Sequence, residues 1–311
     1  MSTYLQYNNH MILHPTDSGK YFYGIVEDPI ILPNRTIRVE FSQGYVPSQG
    51  LSREQVSSNP NVWDITVNQQ GFVQLFYQNE YLLKILACNT YGPGGYYEYM
   101  FTQMCRDCIN LTKVPMFNLS NASNCAGMFG GCESITSLPE FSFDSSVQHN
   151  WTDLNLSSFC SWTKISYVNF SNCRPQSSDN MFAGCSELLS APNIDLSLCT
   201  SIYYMFGECT KMRTSPDYDI HSANNISNMY ENCESLTTIP DLTVSTSMTN
   251  CHRAFAGCRN ASGGILRMYN KLKDISTITD HAGCFWNCGV DSPTGAAELA
   301  QIPSDWKGEP E

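Results

Sequence analysis

The sequence is short of charge. Only 15% of its 311 residues are Asp, Glu, Lys or Arg, and 29 acidic residues outnumber 17 basic ones, for a net charge of −12. Excess negative charge repels phosphate backbones and anionic lipid surfaces, so neither a nucleic-acid partner nor a membrane-surface role is expected. Long apolar runs are also missing. No stretch approaches the roughly 18 apolar residues of a spanning helix, so no membrane span is expected. Met1 to Lys20 are polar and hold no apolar core of signal-peptide length. The Met-Ser-Thr opening is expected to be a natural start rather than the remnant of a trimmed leader. A nucleophile elbow, a P-loop and a dinucleotide fingerprint are all absent. Gly92-Pro93-Gly94-Gly95, followed by Tyr96, Tyr97 and Tyr99, reads as a loop rather than a phosphate cradle. No cofactor is expected.

Cysteine, in contrast, is plentiful, at 15 residues. Cys108, Cys132, Cys160, Cys185, Cys209, Cys233, Cys258 and Cys288 follow one another at steps of 24, 28, 25, 24, 24, 25 and 30 residues. Four end clean copies of a phrase of the type Met-Phe-x-x-Cys: Met128 to Cys132, Met181-Phe182-Ala183-Gly184-Cys185, Met205-Phe206-Gly207-Glu208-Cys209, and Met229 to Cys233 with Tyr230 for Phe. A fixed period of about 20 to 30 residues predicts a solenoid, in which each unit buries its apolar face only against its neighbours. Equivalent positions of adjacent coils would then lie about 5 Å apart. The eight cysteines are accordingly expected to form a buried, reduced structural ladder, since a thiol is small and readily buried. Disulfides and a metal site are the alternatives; the odd cysteine count speaks against the first.

Spacings of four, three and three between the apolar residues of each phrase predict a short helix. Alternating residues nine and eleven positions after the cysteine, such as Ile194 and Leu196, predict a strand, which the recurrent Pro192 or Pro240 would open. The expected fold class is α/β: a solenoid of about eight 24–30-residue coils with a small β-rich N-terminal cap domain. The expected domains are an N-terminal arm at 1–35, a β-rich capping and docking module at 36–85, the coils at 86–290, and a C-terminal cap and tail at 291–311.

No catalytic or metal site is expected. Cys105-Arg106-Asp107-Cys108 lacks the second pair that zinc needs. Cys251 and His252 are helix neighbours that would point apart. Glu133, Asp195, Asp217, Asp219 and Asp241 recur on one face and read as a solvated surface. Aromatic residues outside the inward columns are the better functional lead. Trp151, Trp162, Tyr167, Tyr203 and Tyr204 form a candidate recognition surface, because aromatic rings give large contact area at low entropic cost. Packing between coils is the plainer alternative for each.

The pattern resembles the BspA-like leucine-rich repeat proteins of gut and oral bacteria. Ser247-Met248-Thr249-Asn250, running into Ala254-Phe255-Ala256-Gly257-Cys258, matches the unit's lead-in and phrase, and Leu236-Thr237-Thr238-Ile239-Pro240 matches its strand. The Thr36 to Phe41 strand, the Pro60 to Asp64 turn and the Ile302 to Lys307 ending resemble parts found with such repeats in virion proteins of phages of gut bacteria. The resemblance implies a leucine-rich-repeat-like form of the solenoid. It also implies a non-enzymatic virion structural protein, a head or tail appendage, fibre or decoration. Such a protein would dock to other virion proteins through its N-terminal region, with a homo-oligomer as one arrangement, and would display the repeat face to a host surface glycan or protein. A bacterial cell-surface adhesin is the alternative, and a carbohydrate-active enzyme the second.

Overall fold

The computed structural model describes residues 32, 35–50, 52–67, 72–89, 99–116, 119, 122–143 and 154–309. Nearly all of the expected arm at 1–35 lies outside the described residues, as do Trp151, Tyr96 and Tyr97.

Alternation builds the first sheet. In β1 (Thr36–Phe41) the side chains of Ile37, Val39 and Phe41 are buried. Arg38 and Glu40 point the other way and pair across the sheet with Asp64 at 2.6 Å and Lys84 at 3.0 Å. Together with β2 (Ser52–Gln55), β3 (Val62–Thr66) and β4 (Leu82–Asn89), β1 forms an antiparallel sheet in the order β2-β3-β1-β4. β2 is fully exposed, whereas Leu82 and Ile85 of β4 enter the core.

From residue 72 the chain advances through turns. Nine segments ending at Asn79, Cys108, Cys132, Thr163, Cys185, Cys209, Cys233, Cys258 and Cys288 share one backbone course. In each, the residues five and one before the end are left-handed, for example Asn228 and Asn232 at φ 59° and 55°, or Gly127 and Gly131 at φ 63° and 72°. Tight turns close between them, as from the Cys209 N–H to the Phe206 carbonyl at 3.1 Å. An Asx turn opens several segments: Asn225 Oδ1 accepts the Ser227 N–H and Asn250 Oδ1 the His252 N–H, both at 2.9 Å.

Each segment is tied to the next. The Phe182 N–H reaches the Met205 carbonyl at 2.9 Å and the Tyr230 N–H reaches that of Ala254 at 2.8 Å. Single-residue parallel bridges run Asn124 to Asn155, Ser177, Ser201, Asn225, Asn250 and Asp280 in turn. The strands between are minimal: β5 (Tyr99–Met100) with β6 (Ala122–Asn124), β7 (Phe141–Ser142) with β8 (Phe170–Ser171), and β9 (Asp219–Ile220) with β10 (Thr243–Val244).

The α/β leucine-rich-repeat-like solenoid is therefore corrected. Among the described residues no Met-Phe-x-x-Cys phrase is helical, no strand beyond β4 exceeds three residues, and the largest sheet is the antiparallel one. A coil of helix, turn and strand does not occur; sheet pieces and turns dominate. The physical reason sits just before each cysteine. A left-handed residue reverses the backbone and cannot donate into an α-helical hydrogen-bond series. Apolar spacing alone does not reveal that reversal.

The helices come only at the end. α1 (Ile265–Leu272) buries Ile265, Met268 and Leu272, one stripe of a helix. α2 (Pro293–Ala300) opens with Ser292 accepting the Gly295 N–H, and its Glu298 accepts the Leu266 N–H at the start of α1. α3 (Ser304–Lys307) buries Trp306. Trp306 in turn covers Phe285, whose N–H donates to the Trp306 carbonyl at 2.9 Å.

Candidate recognition surface and buried thiols

All fifteen cysteines are free and buried. Their thiols are not idle in the core, because many donate to a carbonyl of the preceding segment. Cys132 Sγ reaches the Cys105 carbonyl at 2.9 Å, Cys209 that of Phe182 at 3.2 Å, Cys233 that of Phe206 at 3.1 Å, and Cys258 that of Tyr230 at 3.3 Å. Cys108 does the same to Phe76 at 2.9 Å. The acceptor stands three residues before the equivalent end position, so the bond is a built-in cross-tie. Cys288, at the last of the segment ends, is fully buried. Burial pushes the thiols of Cys132, Cys160, Cys209, Cys233 and Cys288 well above the ordinary cysteine range, and takes Cys199 to about 12.

The segment carrying Cys160 is displaced by three residues. Its left-handed positions are Ser158 and Trp162, so Thr163 ends it. Cys160 occupies the place held elsewhere by Phe129, Phe182 and Phe206, and its N–H ties to the Met181 carbonyl as theirs tie to the next segment. Thr163 keeps a donor at its own position, its hydroxyl donating to the Cys160 carbonyl at 2.8 Å. Phe159 supplies the missing ring one residue early, packing edge-on to Phe129 and Phe170. A further segment at 72–79 carries Leu75-Phe76 and ends in Asn79, buried and bonded to the Tyr45 hydroxyl. Its Leu-Phe-x-x-Asn lettering is the sequence signal for it.

The candidate aromatics divide into two groups. Trp162 is 57% and Tyr203 40% exposed, and both belong to turn segments, as does half-buried Tyr204. A side chain at Gly184 would overlap the Trp162 ring, and one at Gly207 would overlap the Tyr204 ring. The Gly184 N–H donates to the Gly207 carbonyl at 2.8 Å. Two rings thus cover two adjoining glycines, and Tyr203 stacks beside Tyr204 with centroids 5.9 Å apart. Tyr167, at 57% exposure, lies in a different column, four residues after a segment end, beside Leu189 at 51%. The Leu189 N–H bonds to the Ser166 carbonyl there.

Polar residues that the sequence did not single out continue the turn face. Glu208 accepts the Asn232 amide at 2.8 Å, and buried Glu231 holds Arg253 at 2.6 Å. Arg253 lies 4.8 Å over the Trp286 ring. Desolvation, reinforced by the charges of Glu208 and Glu231, raises the Tyr204 phenol well above its ordinary value.

Open grooves lie elsewhere on the described residues. One, of about 440 Å³, is lined by His252, Asp280, Gly283, Asp305 and Glu309, and its aspartates are engaged by His252 and His281 at 3.2 Å each. Another, of about 390 Å³, runs past Arg174 and Asp195, themselves paired at 3.0 Å. Glu133, Asp217 and Asp219 are exposed. Among the described residues no three His, Cys, Asp or Glu side chains gather as a metal site, and no helix is long and apolar enough to cross a membrane.

Residues 159–269 match the profile of a family described as Mycoplasma protein of unknown function, DUF285. The match covers about a third of the chain and is a likeness of that part. No curated protein and no solved structure matches the chain.

Proposed function

We propose that the protein is a non-enzymatic structural component of a virion, a head or tail appendage, fibre or decoration. Its N-terminal region docks to other virion proteins and its turn face adheres to a host surface glycan or protein. The observation that carries the recognition half of this reading is the exposure of Trp162 and Tyr203 on neighbouring turn segments. Shallow contacts suit adhesion, where weak affinity is multiplied by copy number on a particle. The virion half is supported by the resemblance of the Thr36 to Phe41 strand and the Ile302 to Lys307 ending to parts of phage virion proteins.

A bacterial cell-surface adhesin is the second reading. It is favoured by the likeness of residues 159–269 to a family described from a bacterium. Immunogold labelling with an antibody to the purified protein separates the two. Label on purified phage particles supports the first, and label on intact bacteria supports the second. Envelope binding by the purified protein tests the adhesion common to both.

A further inference from the structure

The left-handed positions of the turn segments are conformationally expensive for large side chains. Glycine or asparagine fills many of them: Gly127, Gly131, Asn180, Gly184, Asn228, Asn232, Gly257 and Gly283. Polar residues such as Gln103, Ser158, Glu208 and Arg253 fill others, and the aromatic ones are Trp162 at φ 59° and Tyr204 at φ 53°. Bulky residues held in that region store strain, which concentrates where a protein has a use for it. Neither ring supports the core: Trp162 lies over Gly184, Tyr204 over Gly207, and the outer face of Trp162 meets solvent. A flat ring with one face on glycine backbone and the other free is a preformed stacking platform.

The surroundings narrow the occupant. Glu208 stands beside Tyr204, with one oxygen accepting Asn232, so the carboxylate keeps acceptor capacity for hydroxyls. Arg253, the nearby cation, is held by Glu231. The Glu208 carboxylate at this place, in a chain of net charge −12, disfavours an anionic ligand. A ligand that offers a flat C–H face and many hydroxyls but no negative charge is a neutral saccharide. We propose that Trp162, Tyr203 and Tyr204 form a binding platform for neutral glycans, one sugar ring stacking on Trp162 and its hydroxyls reaching Glu208 and the tyrosine hydroxyls. This deepens the adhesion reading and rests on it.

The test uses the full chain, an array of neutral gluco-, manno-, galacto- and N-acetylhexosamine oligosaccharides, and isolated bacterial envelopes. Variants are Trp162→Gly and Tyr204→Asn, each suited to its backbone conformation, with Tyr167→Ser as the control in another column. Wild type and control should bind at least one oligosaccharide class. Trp162→Gly and Tyr204→Asn should lose at least about tenfold in affinity, one stacking contact's worth, with melting temperatures retained. Absence of oligosaccharide binding by wild type, or unchanged binding by both variants, overturns the platform. Envelope binding that persists in both variants overturns it while leaving adhesion standing; envelopes that bind no wild-type protein overturn adhesion itself. Envelope binding lost in the variants, yet resistant to periodate and sensitive to protease, identifies a protein occupant and overturns the glycan.

Discussion

A thiol in this protein fills a small apolar place and also donates a hydrogen bond. Cys209 does both, 3.2 Å from the Phe182 carbonyl. Apolarity alone predicts that a serine there costs about 1–3 kcal/mol. With an acceptor already aimed at the site, Cys209→Ser keeps a partner and should cost only about 1 kcal/mol. Cys209→Asp, which buries a charge without a cation, should cost more than about 3 kcal/mol. Denaturant midpoints of the two variants check both values; a Cys209→Ser cost near about 3 kcal/mol would show that the carbonyl contact contributes nothing.

At the scale of elements, the C-terminal helices depend on a close approach of backbones. Gly295 is the buried residue of α2, and a Cβ there would overlap the Ala261 carbonyl and come within 2.8 Å of Gly289. Gly295→Val should therefore displace α2, lowering stability by about 2 kcal/mol or more, whereas exposed Glu309→Gln should leave the thermal transition in place. Elements also mark the limit of what sequence shows. The β1 strand and the burial of the cysteines were readable, because period two and thiol size each have a local cause. The turn segments were misread as helices. Met205, Phe206, Cys209 and Met212 carry helical spacing, but the deciding residues are Tyr204 and Glu208, left-handed without being glycine. The displacement at Thr163 was hidden for a similar reason, since Cys160 copies the expected letter at another place. The platform was half legible: Trp162 and Tyr204 stood out as aromatics, but Gly184 and Gly207 beneath them matter only once folded.

For the molecule as a whole, the thiols set the response to pH. Desolvation raises Cys88, Cys105, Cys125, Cys132, Cys173, Cys209, Cys233 and Cys284 in the folded state. In the unfolded chain they titrate near the ordinary value of about 8.5. Above that pH the unfolded chain releases protons that the folded one keeps, so stability is full below about pH 8.5 and falls as pH rises toward the folded values. Each such thiol contributes up to about 1.4 kcal/mol per pH unit. Melting temperature should thus drop steeply between about pH 9 and 10.5, and a flat profile there would mean that solvent reaches the thiols.

Thiol labelling followed by intact mass measurement probes the dry, reduced interior most directly. In the folded protein at neutral pH, a maleimide reagent should add to almost none of the fifteen cysteines, and after denaturation without reductant to all of them. Rapid labelling of the folded chain, or a denatured mass short by pairs of labels, would contradict an interior of buried, unpaired thiols.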